Sequence, residues 1–385
     1  MSDLSGNTDN LLADTVARFT REVLIPAEPE VEESDEIPEP IIAQLKQLGL
    51  FGMSIPEGYG GLGLSMAQEA RVVYEIGHAS PVFRSYFGTS NGVGTLGIIN
   101  EGTEEQRRNY LPRIATGELV TSFCLTEPEA GSDAAALTTK AVRDGDSYVI
   151  DGSKRFTTNA PHAGLFTVFA RTAPRQAGPR GISAFLVEAG TPGLSIAPRH
   201  QKMGFRGSHT ADVHFEECRV PAASLLGGAE GIGFTSAMRS LDHARLHMAA
   251  LASGLCRRLI DEGLRYTTQR RQFGRAISGF QLIQGMLADC EAEALAARAM
   301  VERAARDKDA GLPITKDSAA CKYFATEALG RIADRVLQMH GGYGYIKEFP
   351  IERLYRDARL LRIYEGTSQI QQLIIAREMT RGYAG

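Results

Sequence analysis

Apolar residues recur at helical spacing from about Leu11 to Gly117, as in LLADTVARFTREVL and PIIAQLKQLGLFG. That spacing predicts a run of amphipathic helices. From about Val120 to Pro221 the pattern changes to short apolar or alternating runs bounded by Gly, Pro and Asp. SYVIDGSKRFTT, after the turn Asp144-Gly145-Asp146, then LFTVFAR, ISAFLVEA and ADVHFEECRV read as strands. Beyond the glycine-rich LLGGAEGIG, helices return over roughly Phe234 to Arg270, GFQLIQGMLADCEAEALAARAMVERAARD and SAACKYFATEALGRIADRVLQMH. A last helix opens at Thr367 or Ser368. Ile370, Leu373 and Ile374 mark its buried stripe, and Ser368 with Gln371 has capping-box spacing. The fold class is therefore α+β and mostly α: an N-terminal helical domain over 1–119, a middle β-sandwich or barrel over 120–225, and a C-terminal helical bundle over 226–385.

Composition narrows the class without choosing a chemistry. The chain has 385 residues, enough for two or three packed domains, and is 43% hydrophobic and 23% charged, as in ordinary globular proteins. A net charge of −4 offers no overall basic field for nucleic acid or an anionic membrane. No apolar run reaches membrane-spanning length, and the opening MSDLSGNTDN lacks a secretory core. Cys124, Cys218, Cys256, Cys290 and Cys321 are scattered, without CxxC spacing, which points to reduced thiols rather than a disulfide framework or zinc site. A cytoplasmic enzyme or binding protein with no metal site is the expectation.

Glycine clusters and charged residues supply the candidate chemistry. Gly58 to Gly63 reads as a surface turn and Gly227 to Gly233 as a linker, since neither follows a strand and opens a helix as a dinucleotide fingerprint requires. Gly341-Gly342 follows a helix, where glycine caps the C-terminus; adjacent glycines also expose amides to an anion. FCLTEPEAGSD, from Phe123 to Asp133, is a strand entering a polar loop whose hydroxyls and amides suit a heterocycle edge. Arg270 ends a long helix and suits either solvent or a phosphate, and Asp242 with Arg245 has the spacing of an intrahelical ion pair. Glu365 falls in a short break between the basic segment holding Arg356, Arg359 and Arg362 and the last helix. Gly366 lets a ligand approach the backbone there. Burial of that carboxylate would raise its pKa and fit it to abstract a proton.

The helix–β–helix order and four motifs together resemble the acyl-CoA dehydrogenase family, from about residue 11 to the end. The motifs are FCLTEPEAGSD, RRQFG with Gln281, Gln338 with Gly341-Gly342, and IYEGTSQIQ. The resemblance implies that family's fold, with a C-terminal four-helix bundle, and FAD as cofactor. It also implies a homotetramer and an electron-transferring flavoprotein as acceptor. It makes Glu365 the base that takes an α-proton while hydride leaves Cβ for the flavin, with the thioester carbonyl polarised by the base's own N–H. On the flavin side it places Phe123, Leu125, Thr126, Gly131, Ser132 and the Phe156-Thr157-Thr158 segment. Phe156 stands where the family usually has Trp, and the chain has no Trp. Arg270, Phe273, Gln281, Gln338, Gly341 and Gly342 match residues that reach FAD in a neighbouring subunit, and Thr367 and Gln369 match contacts after the base. Asp242 and Arg245 match a pair near the pantetheine; Ser132 and Gly366 also face substrate. Some relatives carry the base on the earlier helix, at about Ala244 here, which leaves Glu365 as the candidate.

Phe83-Arg84-Ser85 resembles the Tyr-Arg-Ser of glutaryl-CoA dehydrogenases, whose arginine holds a distal carboxylate. Arg84, helped by Ser85, is thus expected to bind an acidic acyl tail; pairing with an acid of its own chain is the alternative. Gly88 stands where those enzymes have a second hydroxyl, so a shorter or differently shaped acid, carboxylate or sulfinate, also fits. Three functions compete: α,β-dehydrogenation of an acyl-CoA, elimination of a β-leaving group such as sulfinate on the same fold, and a flavin-free binding scaffold. A short-chain enzyme without tail preference is a variant of the first.

Overall fold

Two helices of the N-terminal part begin where side chains satisfy their free amides. The computed structural model describes residues 5–381, so the first and last four positions of the outer sequence-based domains, including the start of MSDLSGNTDN, lie outside the described residues. Helices α1 (Ser5–Phe19), α2 (Ile25–Ser34) and α3 (Glu39–Gln47) lead to α4 (Met66–Ile76), opened by a Ser65/Gln68 capping box. Asp309 also accepts from the amides of Met66 and Ala67 at 2.7 and 2.9 Å, tying α4 to a distant helix end. Short helices α5 (Val82–Gly88) and α6 (Leu96–Glu101) precede α7 (Glu104–Ala115), whose own capping box is Thr103/Gln106.

Seven strands form one curled sheet: β1 (Thr121–Cys124), β2 (Lys140–Asp144), β3 (Ser147–Thr158), β4 (Leu165–Arg171), β5 (Ile182–Glu188), β6 (Leu194–Ile196) and β7 (Thr210–Pro221). Their order is β1-β4-β2-β3-β7-β6, with β5 on β4; β4 runs parallel to β1 and β2, and the other pairs are antiparallel. The register of β3 on β7 slips between Lys154 and Thr157, a bulge that matters for the site.

Helix α8 (Gly233–Gln269), a small hairpin of β8 (Arg271–Gln272) and β9 (Arg275–Ala276), α9 (Gln281–Asp309), α10 (Thr315–His340), α11 (Ile351–Leu360) and α12 (Ser368–Arg381) complete the chain. One hydrophobic core joins α4 residues such as Val73 and Ile76 to α8, α9 and α10. The helical stretches at the two ends of the sequence therefore bury their apolar faces against each other. Buried carboxylates pin the join: Glu28 of α2 accepts from Arg353 at 2.8 Å and from the Ser80 amide at 2.7 Å. Asp357 of α11 accepts from Ser80 at 2.8 Å and from the Phe205 amide at 2.6 Å. Among the described residues no helix is long and apolar enough to cross a membrane, and all five cysteines are free and buried.

Two expectations for α12 are corrected. Its stripe is not buried in a core: only Ser368 and Gln371 are, while Leu373 is 65% exposed and lines an open cavity with Ile370 and Ile374. Its cap is Thr367, whose hydroxyl accepts from the Ile370 amide at 3.3 Å. Ser368 instead donates to Glu327 at 2.5 Å, and Gln371 reaches back to the preceding loop.

Candidate active site

A cavity of about 1440 Å³ opens where the sheet meets α5, α8 and α12. Nine Lys and Arg side chains but only four Asp and Glu line it, in a chain of net charge −4. Folding has concentrated positive charge in one place, as a polyanionic ligand requires.

Glu365 hangs in this cavity from a loop held open by its neighbours. Its own φ is +55° and that of Gly366 is +89°, so two successive residues adopt left-handed backbone. The turned carbonyls are captured behind the loop. Gln371 donates to those of Glu365 and Gly366 at 3.1 and 2.9 Å, and buried Lys322 of α10 donates to Gly366 at 2.7 Å. A Cβ on Gly366 would lie 2.7 Å from the Gln371 amide nitrogen, so this position needs glycine for space as well as for φ. The Glu365 amide donates to no group among the described residues. Burial raises the Glu365 pKa, while Arg84, Arg245 and Lys322 pull it down; burial wins. Burial likewise lowers Lys322 to about 8 against the attraction of Glu365.

Across the cavity, Arg84 of α5 is 6% exposed. Its Nη2 donates to His247 Nδ1 at 3.0 Å, its buried Nε has no partner, and no carboxylate stands within ion-pair distance among the described residues. Gly88 explains how it fits, since a Cβ there would sit 2.6 Å from the guanidinium carbon. Ser85 lines the cavity beside it, but its hydroxyl is shared with Ser208 at 2.7 Å. On α8, Asp242 and Arg245 pair at 2.6 Å with Thr315 donating to Asp242 at 2.6 Å, and Ala244 presents no carboxylate to the wall they share.

The sheet contributes the third wall. The β3 bulge turns Phe156 out of the strand, with φ +57° and 58% exposure, beside His200 at 5.4 Å. The Arg155 amide, in the same bulge, donates to the Thr126 carbonyl at 2.8 Å and draws in the loop after β1. That loop is staked by a fully buried pair: Lys154 donates to Glu127 at 2.8 Å, and Glu127 accepts from the amides of Thr138 and Thr139 at 2.6 and 2.9 Å. Burial would raise the Glu127 carboxyl, but Lys154 and these donors outweigh it and hold it at about 2. Phe123, Leu125, Thr126, Gly131, Ser132 and Thr158 all reach the cavity.

Three family models match successive stretches of the chain: the acyl-CoA dehydrogenase N-terminal domain over residues 7–118, middle domain over 122–218 and C-terminal domain over 231–380. The chain belongs to the acyl-CoA dehydrogenase family. Acryloyl-CoA reductase (NADH) of Anaerotignum propionicum is 42% identical over 96% of this chain and 94% of its own. Among solved structures, butyryl-CoA dehydrogenase from Megasphaera elsdenii superposes with a TM-score of 0.93 at 33% identity, covering 99% of both chains. A glutaryl-coenzyme A dehydrogenase in complex with glutaryl-CoA superposes at 0.92 and 32% identity, covering 99% of this chain and 96% of the other. This acyl-CoA dehydrogenase is thus an FAD-dependent oxidoreductase acting on acyl-CoA thioesters.

The cavity does not collect every residue matched in the sequence. Thr157 turns into the sheet core, 3.8 Å from Cys124, and Gln369 points outward from α12. Arg270, Phe273, Gln281, Gln338, Gly341 and Gly342 gather elsewhere. Arg270 lies about 37 Å along the α8 axis from Arg245, taking 1.5 Å per helical residue. There its guanidinium lies over Tyr343 at 5.3 Å, and Phe273 is 93% exposed. Sequence reading also overlooked Glu69, His247, Lys322 and Lys154, all buried. The available signal was a charged or titratable residue at a position where helix or strand periodicity calls for an apolar one, as in DHARLH and AACKYF.

Proposed function

We propose that this enzyme α,β-dehydrogenates an acyl-CoA whose acyl tail ends in an anion, with Glu365 as base and Arg84 as the tail's partner. The observation that carries the reading is the state of Arg84: buried, facing the same cavity as Glu365, without a carboxylate partner and with a donor unused. Such a cation is costly unless a ligand anion meets it. Glu365, raised by burial, takes the α-proton once deprotonated, and its uncommitted amide polarises the thioester carbonyl. Tyr364 and Ala244 and Arg245 of α8 line the cavity beside the base.

The residues present fit a flavin. The hydroxyls of Thr126, Ser132 and Thr158 make no hydrogen bond among the described residues, and Phe156 lines the cavity while remaining largely exposed. Thr126, Ser132, Phe156 and Thr158 would hold the ring, which supplies the acceptor for the β-hydrogen and its electrons. Arg270, Phe273, Gln281, Gln338, Gly341 and Gly342 lie too far from the cavity to serve it within one chain, which supports a shared site in a homotetramer. An electron-transferring flavoprotein is the proposed acceptor. The relative named as a reductase favours a second direction on the same residues: Glu365, protonated, would return the proton to Cα.

The test is anaerobic titration with glutaryl-, succinyl-, 3-sulfinopropionyl-, butyryl- and octanoyl-CoA, following flavin bleaching. An anionic thioester should react best, and Arg84→Ala should erase its advantage. Preference for butyryl- or octanoyl-CoA, unchanged in Arg84→Ala, refutes the tail assignment. Sulfinate release from 3-sulfinopropionyl-CoA without bleaching would identify elimination instead.

A further inference from the structure

Behind the cavity wall lies a buried chain of titratable groups that the reaction above does not use. His243 and His247 are one turn apart on α8 and face α4. Between them stands Glu69 of α4, 2% exposed, with one carboxylate oxygen 3.1 Å from His243 Nε2 and 2.8 Å from His247 Nε2. The second contact is bent away from a straight hydrogen bond. The outer nitrogens face cations: His247 Nδ1 meets Arg84, and His243 Nδ1 meets Lys308 of α9.

Donor chemistry fixes the protons. A guanidinium only donates, so His247 Nδ1 accepts, and a neutral ring then carries its hydrogen on Nε2, toward Glu69. The ammonium of Lys308 imposes the same tautomer on His243. These three residues also have the spacing of metal ligands. A metal would need both Nε2 lone pairs, which these tautomers occupy with protons, beside two cations.

We propose that Glu69 and His247 are positioning residues that hold the Arg84 guanidinium in the acyl cavity while leaving its charge uncancelled. This rests on the reading of Arg84 as the partner of an anionic tail. A direct Arg84–Glu69 ion pair would satisfy the guanidinium internally. An interposed neutral imidazole orients it through one donor and leaves Nε and Nη1 for a ligand. Burial pushes His247 down to about 3, so the ring between Arg84 and Glu69 stays neutral in an ordinary assay. Burial opposes ionisation of Glu69, but the two histidines outweigh it and hold it at about 2.

The experiment compares the kcat/KM ratio of the best anionic thioester to butyryl-CoA in holoenzyme, so that any loss of folded protein cancels. Arg84→Ala sets the floor. His247→Leu should lower the ratio about tenfold, the scale of one charge-assisted hydrogen bond. His247→Asn, whose amide oxygen can take the place of Nδ1, should recover most of it. An unchanged ratio in His247→Leu, or an equal fall in both variants, overturns the relay while leaving the tail reading intact. Wild-type enzyme with no anionic preference overturns both. One equivalent of zinc bound in wild type and lost in Glu69→Gln would assign the cluster to a metal and overturn the relay.

Discussion

Gly88→Ala tests where Arg84 sits with the smallest possible change. The backbone of α5 is ordinary helix there, so alanine alone should stabilise the enzyme by about 0.5–1 kcal/mol through its greater helix propensity. The added methyl, however, would lie 2.6 Å from the Cζ and Nη1 of Arg84. The guanidinium must then move by about 0.8 Å, the difference between 2.6 Å and the 3.4 Å at which ordinary contact begins. Arg84 is tied to the protein by its 3.0 Å hydrogen bond to His247 and otherwise faces the cavity, so a shift of that size is expected to break the bond. Loss of a charge-assisted bond costs about 1.5–3 kcal/mol, which exceeds the helix gain. The net expectation is a loss of about 1–2 kcal/mol. Thermal melts of the holoenzyme should show a fall of about 1–2 °C for a chain of this length. Steady-state assays should show the anionic-to-butyryl preference falling about tenfold. A variant with a higher melting point and an unchanged preference refutes the reasoning, because Arg84 would then be free to move aside at no cost.

Other outcomes follow from the loop that carries Glu365. Glu365→Gln should slow flavin bleaching by about 10²–10⁴-fold with the flavin spectrum retained, and turnover close to wild type would remove Glu365 from the mechanism. Lys322→Met deletes a cation that lowers the Glu365 pKa, so the acidic limb of kcat/KM should move to higher pH. Stopped-flow reduction across pH checks this, and a limb that stays put or moves down contradicts it. In wild type the Lys322 charge itself fades as pH rises through about 8, so an activity decline in that range should be absent from Lys322→Met. Gly366→Ala should destabilise the loop by about 1–3 kcal/mol, from its φ and from contact with Gln371, and should lower kcat more than FAD content.

The family was legible because its signals are local. FCLTEPEAGSD and IYEGTSQIQ are contiguous stretches whose residue types specify a turn, a cap or an uncommitted hydroxyl wherever they fold. The switch from helical to alternating periodicity near Val120, and back after the glycines at 227–233, reflects the repeat of the backbone itself. Those patterns determined the element types, the helix–sheet–helix order and the position of Glu365 in a break between two helices.

What covers each face was settled only by folding. Periodicity shows that one side of α12 is apolar, but cavity and core ask for the same residues, and the stripe of Ile370, Leu373 and Ile374 lines the cavity. A net charge of −4 is a sum over the chain, and a sum says nothing about nine basic side chains converging on one cavity. Arg84 and His247 are 163 positions apart, and Glu69 and His243 are 174. Their meeting depends on how α4, α5 and α8 pack, because hydrogen bonds between helices depend on relative position and not on the sequence of any one helix. The sequence by itself determined that a loop carboxylate and a helical arginine exist in the right kinds of segment. The tertiary structure decided that they share a cavity, and that the arginine arrives there with its charge unspent.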